Sequence, residues 1–297
     1  MTTTTYDSAT PATAETRTPS PLVQVDLGGL SHPGRVRPNN EDHFLVVRFD
    51  RSMNALLTNL PEGSIPDRYG ETAYGILVAD GMGGAAGGEI ASELAITALV
   101  DLALRTPDWI MSFDQESAQR VLARMDQRIG QIEDVLRDKV RDDPSLSGMG
   151  TTMTIACSLG ADLIVCHVGD SRAYLVRRGR LHRLTRDHTI AQELADAGAI
   201  SSDEVSSHPL HHVLTHVIGS EGEKAQAELG MTRLIDGDQV LLCTDGLTDM
   251  VTDAEIADAL AGQGSSADAC TALLEMALER GGRDNVTVAL ARYRIRQ

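Results

Sequence analysis

The 297-residue chain predicts an α+β fold built on antiparallel sheets, and two patterns carry the prediction. Short β-rich runs come in clusters separated by tight turns, and helical periods come in pairs. Strict strand–helix alternation would point instead to a doubly wound parallel sheet. An apolar content of 42% supplies a core, although length alone does not decide between one large domain and two small ones.

Residues 1–21 are rich in Thr, Ala, Ser and Pro with few large apolar side chains, the composition of a disordered leader. Val23, Val25 and Leu27 alternate with polar neighbours, and Phe44 to Phe49 is β-rich, so both read as strands. Residues 51–71, with Pro61, Gly63, Pro66 and Gly70, read as an inserted loop. Tyr74 to Ala79 predicts a buried strand. From Gly87 to Arg105, Ile90, Leu94, Ala98 and Leu102 share one helical face. Val121, Met125, Ile129, Ile132, Leu136 and Val140 step by three or four residues, the period of a longer amphipathic helix.

Thr151 to Leu159, Asp162 to Val168, Ala173 to Arg177 and Leu181 to Leu184 predict a meander, with turns at Gly160 and Gly179. Ile190, Leu194 and Ala197 mark a small helix. Gln239 to Cys243 and Val286 to Tyr293 read as strands, and residues 253–261 and 267–280 as helices.

A formal net charge of −17 repels nucleic acid and anionic lipid, which makes both poor partners. No run approaches the length of a membrane span, and no basic-then-apolar signal opens the chain. Cys157, Cys166, Cys243 and Cys270 sit apart in apolar runs without a CxxC pair, as small hydrophobes do in a reducing compartment. A cytoplasmic protein is expected.

Five blocks place an aspartate beside glycine or another turn residue: Arg37 to Asp42, Asp80 to Gly84, Gly169 to Arg172, Thr244 to Gly246, and Arg283 to Asn285. Three of them follow buried strands. Carboxylates held on rigid strand ends suit a hard divalent cation, whose ligands are oxygens. Each block alone is also a common hairpin signal; their conjunction shifts the balance. Gly81, Gly83 and Gly87 look superficially like a dinucleotide fingerprint, but Asp80 would put negative charge beside the pyrophosphate. His208, His212 and His216 fall at i, i+4 and i+8, as a zinc-binding helix face would. Pro209 disfavours a helix across His208, and no cysteine lies near to complete four ligands.

The order and content of the five blocks resemble the metal-dependent protein serine/threonine phosphatases of type 2C, the PPM family, in their bacterial branch. The resemblance spans Val23 to Arg294 and implies a sandwich of two antiparallel β-sheets flanked by α-helices, a four-layer αββα domain over residues 22–297. It implies that Asp80 bridges two Mn2+ or Mg2+ ions, with the Gly81 carbonyl on one and Asp245 and Asp284 on the other. Asp170, shared with Asp245, looks like the ligand of a third. Arg37 would clamp the phosphoryl group, Glu41 would meet a metal directly or through water, and Asp42 would orient waters from behind. Arg172 is expected to fix the Asp170 loop by ion pairing and Asn285 to turn the backbone. Thr151 and Thr152 read as structural. Residues 187–219 align with the family's flap, in which His188, Ser206 and His208 are the candidates near substrate.

The implied reaction is hydrolysis of phosphoserine and phosphothreonine on proteins by a metal-activated water, with a bacterial Ser/Thr kinase as the opposing partner and a monomer as the working unit. A phosphatase dedicated to one regulatory partner of the anti-sigma type, or a catalytically weak phosphoprotein-binding module, is the alternative. One departure stands out: many eukaryotic members carry a histidine where this chain has Met82, and a thioether donates no proton to a leaving group.

Overall fold

The computed structural model describes residues 22–61, 63–66, 68–83, 87–105, 115–219, 224–262 and 264–296, with side chains in the second long helix described from residue 123. The leader over 1–21 and Gly84 of the Asp80 block lie outside the described residues. Eleven strands and six α-helices form in the described chain. β1 (Leu22–His32), β11 (Val286–Arg296), β10 (Gln239–Cys243), β7 (Arg172–Arg177) and β8 (Arg180–Arg183) make one antiparallel sheet in that order. β2 (Asp42–Asn54), β3 (Arg68–Met82), β5 (Met153–Leu159), β6 (Asp162–Val168) and β9 (Glu228–Arg233) make the other, with the short β4 (Gly150–Thr151) paired to the end of β3.

The period-2 geometry of strands explains the layering. In β3, Ile76 and Val78 face the opposite sheet, while Leu77 and Ala79 face helices. In β10, Val240 and Leu242 point inward and Leu241 and Cys243 outward. Both faces are buried, so these antiparallel strands read as continuous apolar runs rather than as an alternating pattern. α1 (Gly87–Arg105) and α2 (Gln115–Asp142) cover the six-stranded sheet. α4 (Asp245–Thr248), α5 (Asp253–Leu260) and α6 (Ser266–Glu279) cover the five-stranded one. The architecture is the αββα sandwich.

Helix starts follow local chemistry. Thr252 and Ser265 form capping boxes with Glu255 and Asp268, and Thr189 caps α3 (Ile190–Asp196). The inserted loop needs correction: Arg51 to Asn54 pairs with Arg68 to Glu71, so both ends of the segment extend the β2–β3 hairpin. β9 and α4 carried no sequence prediction.

Candidate metal centre

One edge of the sandwich collects the acidic blocks. Asp42 begins β2 directly opposite Asp80 near the end of β3. Asp170 lies in the turn from β6 to β7, Asp245 opens α4 just after β10, and Asp284 lies two residues before β11. Strand pairing explains the convergence: Cys243 at the end of β10 sits between Arg172 at the start of β7 and Val288 near the start of β11.

The carboxyls feel one another strongly. Burial raises Asp80 well above the usual carboxylate range, and the charges of Asp42, Asp245, Asp170 and Asp284 add to the rise. Burial, then Asp245 and Asp187, does the same to Asp170. Asp42 is pushed up to about 7, chiefly by burial. Glu41 is raised by burial while Arg37 opposes the rise. Such crowding of like charge is costly unless a cation answers it.

Hydrogen bonds hold the frame around these groups. The Asp80 amide donates to Thr152 Oγ1 (3.0 Å), and its carbonyl accepts from the Thr152 amide (2.8 Å) and the Thr151 hydroxyl (2.8 Å). Thr151 and Thr152 are thus structural, as read, and they fix Asp80 itself. Thr244 Oγ1 donates to Asp42 Oδ2 (2.8 Å) and accepts from the Thr287 amide (3.0 Å), tying the two sheets together at this edge. The other Asp42 oxygen, Oδ1, is buried without a hydrogen-bond partner.

Gly81 is required for a reason the sequence did not show. A Cβ there would run into the Gly88 backbone of α1 and lie 2.8 Å from the Glu41 carbonyl oxygen. Close helix-to-strand approach demands the glycine, whatever the Gly81 carbonyl does. Asn285 also does more than turn the chain. Its Oδ1 accepts from the Glu41 amide (2.7 Å), and its Nδ2 donates to the carbonyls of Pro33 (3.0 Å) and Asn39 (2.8 Å). It holds the loop that carries Arg37 and Glu41. Arg37 reaches the same edge and donates to Asp284 Oδ2 (2.7 Å), with 56% of its side chain exposed.

The flap residues rearrange the sequence reading. Arg172, beside Asp170, makes its ion pair with Asp187 (2.8 Å). Burial alone would raise Asp187, but Arg172 and Arg183 outweigh it and hold its carboxyl below the usual range. His188 accepts from the Gly169 amide (3.2 Å) and stacks between His167 and His216, so it backs the Asp170 loop from behind. Ser206 lies in a 3-10 turn, and His208 accepts from the Leu210 amide at the end of that turn. The flap side chain that does reach the edge is His212, whose Nδ1 stands 3.7 Å from Asp245 and Nε2 3.6 Å from Asp249. Both contacts are ion-pair distances, too long for hydrogen bonds. Asp245 raises His212, and burial followed by Asp245 pushes Asp249 up to about 6. Thr244 and Asp249 have no role in the sequence analysis, where His212 enters only with His208 and His216 as a candidate zinc face; the i, i+4 spacing of Asp245 and Asp249 is the signal available for Asp249.

The donor set is entirely carboxylate and carbonyl oxygen, which suits manganese or magnesium over zinc. Asp42 Oδ1, buried and unpartnered, and the mutually raised carboxyls are what a cation centre would leave behind. The residues fit such ions.

The profile of the family described as protein phosphatase 2C matches residues 67–290. The serine/threonine protein phosphatase PstP of Mycobacterium tuberculosis is 39% identical over 216 residues, 73% of this chain. The chain spans 40% of the length of that relative. Protein phosphatase PhpP of Streptococcus pneumoniae is 34% identical over 276 residues, covering 90% of this chain and 96% of PhpP. The crystal structure of the M. tuberculosis phosphatase PstP/Ppp superimposes with a TM-score of 0.72 at 36% identity, covering 91% of this chain and 99% of that one. The catalytic domain of PstP in complex with two manganese ions gives a TM-score of 0.70 at 33% identity, over 92% of this chain and 99% of the other. Sequence, fold and carboxylate edge agree: this chain belongs to the protein phosphatase 2C family.

Proposed function

We propose that this chain hydrolyses phosphoserine and phosphothreonine on proteins, opposing a Ser/Thr kinase, as a single cytoplasmic domain over residues 22–297 that works as a monomer. The observation that carries the reading is the convergence of Asp42, Asp80, Asp170, Asp245 and Asp284, each on a separate stretch of chain, in one mutually repelling group. The relative whose catalytic domain holds two manganese ions supports it.

Asp80, the Gly81 carbonyl, Asp245 and Asp284 would hold two Mn2+ or Mg2+ ions, Glu41 would assist, and Asp170 with Asp245 would take a third. Such paired ions supply Lewis-acid activation of water and neutralise phosphoryl charge. Arg37 adds a planar donor fork at the same edge, suited to two phosphoryl oxygens at once. Asn285 and Thr152 keep the Arg37 loop and Asp80 in register. A phosphocysteine route has no support, because burial pushes the thiols up to about 11 for Cys157 and about 12 for Cys166, Cys243 and Cys270. Met82, 42% exposed at the end of β3, offers no proton to the departing oxygen. Rates should therefore depend more steeply on leaving-group pKa than in relatives with histidine there.

Phosphate release from a phosphothreonine peptide tests the reading. Release should require manganese or magnesium and fall by at least about 100-fold, roughly 2.7 kcal/mol of barrier, in Asp80→Ala. Metal-independent release, or an unimpaired Asp80→Ala, would contradict it.

A further inference from the structure

His211 and His212 sit in the flap turn after the 3-10 helix, facing the C-terminal end of α4. One ligand atom from each of His211, His212 and Asp249 lies within 4.8 Å of the others. Tetrahedral zinc with nitrogen and oxygen ligands about 2.0–2.1 Å away spaces them roughly 3.3 Å apart, so a small side-chain adjustment closes the set.

His211 is prepared for such a role. Its Nδ1 donates to the His208 carbonyl (2.6 Å), which also accepts from the His211 amide (3.1 Å). With the proton on Nδ1, the Nε2 lone pair is left for a metal, the usual arrangement of a ligating histidine. The His211 and His212 rings stack at 3.6 Å between centroids, and His212 places its two nitrogens toward Asp245 and Asp249.

A second histidine cluster, His167, His188 and Glu228, serves as the internal contrast. There His167 Nδ1 pairs with Thr154 Oγ1 (2.8 Å) and Nε2 with the Arg186 carbonyl (3.0 Å). His188 Nδ1 accepts from the Gly169 amide (3.2 Å), and Glu228 accepts from the Arg186 amide (3.0 Å). Those groups are committed to the protein, and binding a metal would break the bonds that hold the Asp170 loop.

We propose that His211, His212 and Asp249 form a separate three-ligand site for a borderline divalent cation of the zinc class, and that its occupation clips the flap onto α4 beside the carboxylate centre. Mixed nitrogen and oxygen ligands select zinc over the manganese and magnesium that the all-oxygen edge favours. The clip joins His212 to Asp249, 37 positions further along the chain, and so restrains the flap at its exposed end.

Zinc binding to the full-length Asp80→Ala chain tests the site independently of phosphatase activity. One zinc should bind, and His211→Ala, His212→Ala and Asp249→Asn, each added to Asp80→Ala, should weaken it by at least 10-fold. His182→Ala, on the exposed edge of β8, should leave it unchanged. Hydrogen exchange at the amides of His211, Val213 and Thr215 should slow at least 5-fold on adding zinc, and the slowing should vanish with His212→Ala. An affinity that stays within twofold in both histidine variants would overturn the site. Loss of affinity without any change in exchange would overturn the clip.

Discussion

At Asp42 a single carboxyl shows what burial costs a charged group. Its pKa of about 7 in the folded chain stands above the ordinary value of 3.8. Between these pH values the folded state keeps a proton that the unfolded state has released, so stability falls as pH rises. With EDTA present, the urea midpoint should be higher at pH 5 than at pH 8, and Asp42→Asn should narrow the difference. A higher midpoint at pH 8 would contradict the account. Asn285 is the second test at this scale. Asn285→Ala strands one amide and two carbonyls, costs about 2 kcal/mol by urea titration, and lowers kcat/KM on a phosphopeptide about 10-fold. The acidic site residues were legible because each sits at a strand end in a recognisable block. Asn285 and Thr244 were not, because their importance comes from partners more than 40 residues away at Thr287 and more than 200 away at Asp42 and Glu41.

Elements carry the site through close packing, and Gly81 is where β3 and α1 meet most tightly. Gly81→Ala should push α1 off the sheet, costing about 3 kcal/mol or more in thermal unfolding and lowering activity in parallel. A variant of unchanged melting temperature would show that the approach is looser than the structure has it. α1 was read at its true bounds from an apolar stripe, and β6 and β10 from short apolar runs. β9 was missed because its burial pattern is mostly exposed and its register comes from β6, with Cys166 opposite Leu229. α4, four residues long, has no period to read. The distal β2–β3 hairpin has no strand signature in the sequence because its residues are largely exposed, and strand pairing there owes nothing to burial.

The whole molecule is a sandwich whose two sheets share one apolar layer and whose opposite acidic blocks meet only at an edge. Periodicity and turns carried the α+β class, while the stacking of two sheets came with the family resemblance, since antiparallel strands buried on both faces carry no alternation to reveal a second layer. Within residues 187–219, the contact of His212 with the site depends on three-dimensional proximity to Asp245 and Asp249, which no sequence pattern encodes. Anomalous diffraction from crystals soaked in manganese bears most directly on the carboxylate edge as a cation centre. Two manganese peaks should appear among Asp80, Asp245 and Asp284 in the intact chain and vanish in Asp80→Ala; peaks lying only elsewhere, or none at this edge, would contradict it.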